Sequence, residues 1–77
     1  MDDLPLKSLL GRKVRNLREA RGLSQEQVAQ QLEVTPRYYA GIERGERNMT
    51  LDSIDTLASR LGVPATTLLE AEEVNPR

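Results

Sequence analysis

The chain contains no cysteine and no histidine. Their absence excludes disulfides, thiol chemistry, an imidazole general base and the usual zinc ligands. Phenylalanine and tryptophan are also missing, so the core must be largely aliphatic. Strand-forming runs rich in Val, Ile, Thr and aromatics do not occur, which points to helices. No apolar run approaches the roughly 18 residues that a membrane span needs. Met1-Asp2-Asp3 is not a signal-peptide start, and the expected location is cytoplasmic. No glycine-rich phosphate loop is present. Asp52 and Asp55 stand three apart, but in the first turn of a helix, where acids meet the helix dipole favourably. No enzymatic activity, metal or cofactor is therefore expected.

What remains is 77 residues, enough for one domain. That size is near the lower limit for a self-sufficient core, so a second copy could help stabilise it. The net charge of −1 is unevenly spread. From Lys7 to Arg47 nine Lys or Arg face five acids, a local +4. From Asn48 to Arg77 two face five, a local −3. A basic front and an acidic back suit a protein that meets phosphate on one face.

Helical periodicity divides the chain into five segments. Leu6, Leu9/Leu10, Val14 and Leu17 recur through a first helix from Pro5 to Arg21, which Gly22 ends. Ser24 with Gln27 has the form of a capping box. It opens a second helix, to about Leu32, with Val28, Ala29 and Leu32 inward. Thr35 caps a third helix, with Pro36 at its favoured first position. That helix runs to Arg44 and stops at Gly45. Thr50 caps a fourth, to about Leu61, with Leu51, Ile54, Leu57, Ala58 and Leu61 on one stripe. Val63-Pro64 leads into a short fifth helix holding Leu68 and Leu69. The single domain has its core at about residues 6–70, and residues 72–77 are expected to fray.

The most informative stretch is Gln25 to Arg44: helix, three-residue turn, helix. Two short helices crossing steeply need a small residue at their contact, and Ala29 is placed for it. Val34 and Ile42 would pack back onto Val28 and Leu32. The second helix of this unit then protrudes and can enter a major groove about 12 Å wide.

The run Leu23-Ser-Gln-Glu-Gln-Val-Ala-Gln-Gln-Leu, with Val34-Thr-Pro-Arg-Tyr-Tyr-Ala-Gly-Ile-Glu-Arg-Gly, resembles the XRE (Cro/C1-type) helix-turn-helix of lambdoid phage repressors. The resemblance covers about residues 7–70. Gly41-Ile-Glu-Arg-Gly-Glu-Arg-Asn48 followed by Thr50-Leu51 is more similar still to controller proteins of restriction–modification systems. The resemblance implies an all-α, five-helix, lambda-repressor-like DNA-binding domain whose third helix reads DNA. It further implies a homodimeric transcription regulator on a pseudo-palindromic operator. The alternatives are a phage-type repressor, an antitoxin, or a helix-turn-helix interaction module that does not read DNA. Two positions depart from the family pattern. Glu33 stands where glycine is usual, so a non-glycine residue is expected at positive φ. Tyr39 stands where Ile or Val is usual, so the core must fit an aromatic ring.

Candidate DNA contacts follow. Arg37, at the exposed start of the third helix, carries a planar fork that matches guanine O6 and N7. Tyr38 can touch a phosphate or a thymine methyl. The Thr35 hydroxyl, beside Pro36, can meet phosphate as well as cap. Gly41 would let the helix approach DNA or a neighbouring backbone closely. Gln25, by the resemblance, anchors the DNA backbone, with a capping role as the other reading. Arg47 and Asn48 match an Arg-Asn pair that approaches DNA beside the reading helix. Arg18 and Glu43 match an internal salt bridge between helices one and three. Val63, Leu68 and Leu69 lie beyond the four-helix unit and are expected at a dimer interface through helices four and five. Glu26, with Glu33, matches an acidic surface that faces the polymerase sigma subunit in activating relatives.

Overall fold

The described part of the computed structural model is residues 5–70, and its regular elements are all helices. Its elements are α1 (Leu6–Ala20), α2 (Gln25–Leu32), α3 (Pro36–Glu43), α4 (Leu51–Leu61) and α5 (Ala65–Leu68). The expected fraying at residues 72–77 lies outside the described residues.

Local chemistry sets the element boundaries. The Ser24 hydroxyl accepts from the Gln27 amide at 3.1 Å, and Gln27 Oε1 accepts from the Ser24 amide at 2.8 Å. This closes both halves of a capping box. Thr35 Oγ1 accepts from the Tyr38 amide at 3.0 Å, ahead of Pro36 at the first helical position. Thr50 Oγ1 does the same for Ser53. Glu33 ends α2 at φ 62°. A left-handed non-glycine residue is strained, and α4 supplies partners at this corner. Arg60 Nη1 lies 2.9 Å from Glu33 Oε1, and Gln31 Nε2 donates to the Arg60 carbonyl at 3.1 Å.

The core draws on every helix. Val14, Val28, Ala29, Tyr39 and Leu68 are each 1% exposed or less. Ala29 is fully buried, and Tyr39 stands in the core where an aliphatic side chain was the family expectation. A very close helix contact lies between α1 and α3. A Cβ on Gly11 would stand 2.6 Å from the Glu43 carbonyl oxygen and closer still to that of Ile42. Only a glycine in α1 lets α3 pack this near.

Three apolar residues are placed otherwise than their spacing or position suggests. Leu6 and Leu51 do not face inward; they are 64% and 76% exposed. Each begins its helix, and the buried stripe starts a turn later, at Leu10 and Ile54. Leu68 is 0% exposed within the single chain. It offers nothing to a second copy, because α5 folds back on α1 and α4 and spends Leu68 in the core.

Candidate nucleic-acid interface

α3 is held from behind and open in front. Behind it, Arg18 reaches from α1 to three acceptor oxygens on two residues. Its Nε donates to Glu43 Oε2 at 2.6 Å, its Nη2 to Glu43 Oε1 at 3.2 Å, and its Nη1 to the Leu23 carbonyl at 2.9 Å. The fork therefore ties α1, the turn before α2 and the end of α3 together. The two side chains are 14% and 5% exposed, so the pair is internal. Burial works to raise the Glu43 carboxyl pKa, but hydrogen bonding, chiefly from Arg18, outweighs it and holds the group below the usual carboxylate value. The enclosed Tyr39 hydroxyl finds no hydrogen-bond partner of good geometry. Burial pushes its phenol pKa far above the usual value.

Gln25 joins this arrangement. Its Nε2 donates to Glu43 Oε1 at 2.9 Å. The capping box uses Ser24 and Gln27 instead, so the capping reading of Gln25 is corrected. The amide that was expected to point at DNA backbone is partly engaged within the chain, braced against α3.

In front, Thr35, Pro36 and Arg37 are exposed, and Tyr38 is half-buried. Arg47 packs its guanidinium 4.8 Å from the centroid of the Tyr38 ring. Asn48 is exposed, and its Oδ1 accepts from Lys7 Nζ at 3.2 Å, so the loop after α3 is tied to the start of α1. Gly41 is covered rather than open: the Arg47 side chain lies against it. Arg37, Tyr38, Gly41 and Arg47 thus converge on one side of α3, while Gln25, Arg18 and Glu43 gather on the other. Glu26 is exposed in the first turn of α2. Glu33 is exposed too, but its charge is paired with Arg60. Sequence reasoning missed Lys7 and Gly11. The signal for Gly11 was a glycine inside an otherwise helical pattern, which costs helix stability and so calls for a packing reason.

Among the described residues no group of acids, His or Cys is arranged to hold a metal. No described helix is long and apolar enough to cross a membrane.

α2, the turn through Glu33 and Val34, and α3, exposed in front and braced at its back by an ion pair, form the helix-turn-helix unit of a DNA-binding class of proteins. Residues 14–68 match the helix-turn-helix family HTH_3, and the chain belongs to this XRE family of DNA-binding transcription regulators. It is 38% identical over 66 residues to control protein C.BamHI of Bacillus amyloliquefaciens, spanning 84% of this chain and 82% of that relative. Among solved structures it is similar to the hypothetical transcription factor NHTF from Neisseria, with a TM-score of 0.79, 33% identity, and 92% and 86% of the two chains covered. It is also similar to the restriction–modification controller protein C.AhdI from Aeromonas hydrophila, with a TM-score of 0.72, 39% identity, and coverage of 80% and 94%.

Proposed function

We propose that the protein is the controller of a restriction–modification system, a homodimer that binds a pseudo-palindromic operator through α3. The observation that carries DNA reading is the exposed Arg37 beside Tyr38 and Arg47 on a helix anchored from behind. The controller assignment is supported by likeness to two control proteins along most of their lengths. Arg37 makes the base contact, bidentate to guanine. Thr35, the α2 start at Gln25 and Asn48 meet the DNA backbone.

Dimerisation is supported by apolar surface beside α4 and α5. Leu6, Leu51 and half-buried Leu69 line a groove of about 370 Å³. Val63, also half-buried, precedes α5. Leu6 and Leu51 replace Leu68 in the proposed interface. A two-fold partner on this side sets two α3 helices about 34 Å apart, one helical turn of DNA.

The test is sequence selection from a random duplex pool, followed by titration of the enriched duplex at two salt concentrations. Enrichment of an inverted repeat, with binding that weakens steeply as salt rises, is expected. Recovery of no sequence, with no salt-dependent affinity for duplex, would overturn the reading in favour of a protein-interaction module. A methyltransferase and endonuclease gene beside this one is expected for a controller, and their absence counts against that assignment.

A further inference from the structure

Along a helix, residues three and four apart share a face. Arg37 and Gly41 are four apart on α3; Tyr38 and Gly41 are three apart. The row that begins with exposed Arg37 therefore reaches a position with no side chain. That position is nonetheless buried. A Cβ on Gly41 would stand 2.8 Å from Arg47 Nε, 3.3 Å from its Cγ and 3.5 Å from its Cδ. The Arg47 stem lies across Gly41, and its guanidinium carbon sits 4.8 Å from the centre of the Tyr38 ring.

We propose that Gly41 and Tyr38 are positioning residues that seat Arg47 on the outer face of α3, so that a loop arginine supplies the base-reading side chain that position 41 lacks. The inference rests on α3 being the DNA-reading helix. Gly41 gives the room, because any side chain there would displace the stem. Tyr38 gives the hold, because a guanidinium is attracted to the face of an aromatic ring. That attraction uses none of the guanidinium N–H donors in a hydrogen bond, so the fork stays available to a base edge. A seated arginine loses less freedom on binding than a loose one. Arg47 then acts with Arg37 as a second reader along the groove, rather than as a loose loop tether to phosphate.

Gly41→Ala tests the seat cleanly. Alanine is the better helix former, and the atoms it strikes belong to a flexible side chain, so the fold should hold. The first readout needs no DNA. In the free protein, the Arg47 Nε–H NMR resonance should be displaced by the Tyr38 ring current. The displacement should persist in Tyr38→Phe and vanish in Gly41→Ala and Tyr38→Leu. An Arg47 resonance unchanged by Tyr38→Leu overturns the seat. The second readout is preference for the enriched duplex over a scrambled one. Gly41→Ala and Arg47→Ala should each lower it about tenfold, the scale of one good base contact. Adding Gly41→Ala to Arg47→Ala should cost nothing more. Further loss in the double variant would mean that the methyl meets DNA directly, and overturns the proposal. If the wild type enriches no sequence, the DNA-reading assignment fails, and the NMR comparison still decides whether Arg47 is seated.

Discussion

On the side of α3 that faces α1, Gly11 brings two backbones nearly into contact, and Arg18, Gln25 and Glu43 close a hydrogen-bonded group. On the opposite side of the same helix, Arg37 stands exposed and Arg47 rests on Tyr38. The inner side spends charge on holding an angle; the outer side keeps charge for something outside the chain. A reading helix needs both, because a base contact of a few tenths of an ångström tolerance is useless on a helix that rocks. Substitutions on the two sides should therefore separate by readout: stability on the inside, discrimination without stability on the outside.

The largest effect is expected from Arg18→Ala. It leaves the Glu43 carboxylate, 5% exposed, without its cationic partner, with Gln25 Nε2 still donating to it. Removing one partner of an internal pair costs about 3–5 kcal/mol, a large share of the stability of a domain this small. Thermal denaturation should show a strongly lowered Tm, with DNA binding lost only as the fold is lost. A well-folded Arg18→Ala that binds DNA poorly would move Arg18 to the outer side. The same pair gives a pH signature. The folded Glu43 pKa lies below its ordinary value of 4.5, so its stabilisation is present above that pH. It drains away as pH falls through the lower folded value. Denaturation midpoints measured from pH 6 down to pH 2 should fall in acid, and Glu43→Gln should flatten that fall.

Gly11→Ala should come next. The added methyl meets backbone carbonyls of α3, not a movable side chain. Overpacking of this kind costs about 1–3 kcal/mol, offset in part by alanine's helix preference of about 1 kcal/mol. A net loss of Tm would sharpen the contrast with Gly41→Ala, where the same substitution strikes only Arg47. Equal or raised Tm in Gly11→Ala would show that α1 and α3 can separate cheaply.

Much of the inner architecture was legible in the sequence because it rests on local rules. The Ser24 and Thr35 caps follow from residue type and spacing, while the left-handed Glu33 and the inward Tyr39 were legible through the family resemblance, which places glycine and an aliphatic residue at those positions. What spacing does not carry is what lies opposite a residue. Leu6 and Leu51 fit the apolar period of their helices but stand one turn before the partner surface begins. Leu68 looked like surplus beyond a four-helix unit, yet α5 folds it inward. Gly41 showed that a helix approaches something, but only three dimensions reveal that the neighbour is Arg47. The Gln25 contact with Glu43 joins residues 18 apart in sequence, through a fold that no pairwise pattern encodes.

Arg37→Ala should leave Tm unchanged, since the side chain is exposed on α3. It should remove about 1–3 kcal/mol of preference for the enriched duplex over a scrambled one. Paired titrations measure this. Equal losses on both duplexes would make Arg37 a phosphate contact, and the outer side would then owe its specificity to its other residues.

The smallest effect on binding is expected from Glu26→Gln, and it extends the comparison to a third surface. Glu26 is exposed in the first turn of α2. An acid there interacts favourably with the helix dipole, which alone explains its presence in structural terms and is worth only about 0.3–1 kcal/mol. Glu33, at the other end of α2, has its carboxylate 2.9 Å from Arg60, so a basic partner meets less unbalanced charge there. We propose Glu26, rather than Glu33, as the residue that would meet a basic surface of polymerase bound beside the operator. Glu26→Gln keeps the shape and removes the charge. Operator affinity should stay nearly that of the wild type, while transcription from an activated promoter falls in a purified polymerase assay. Both must be read on the same DNA at full operator occupancy. Unchanged transcription there would leave Glu26 as a helix-dipole partner alone, and reduced affinity would place it near the DNA.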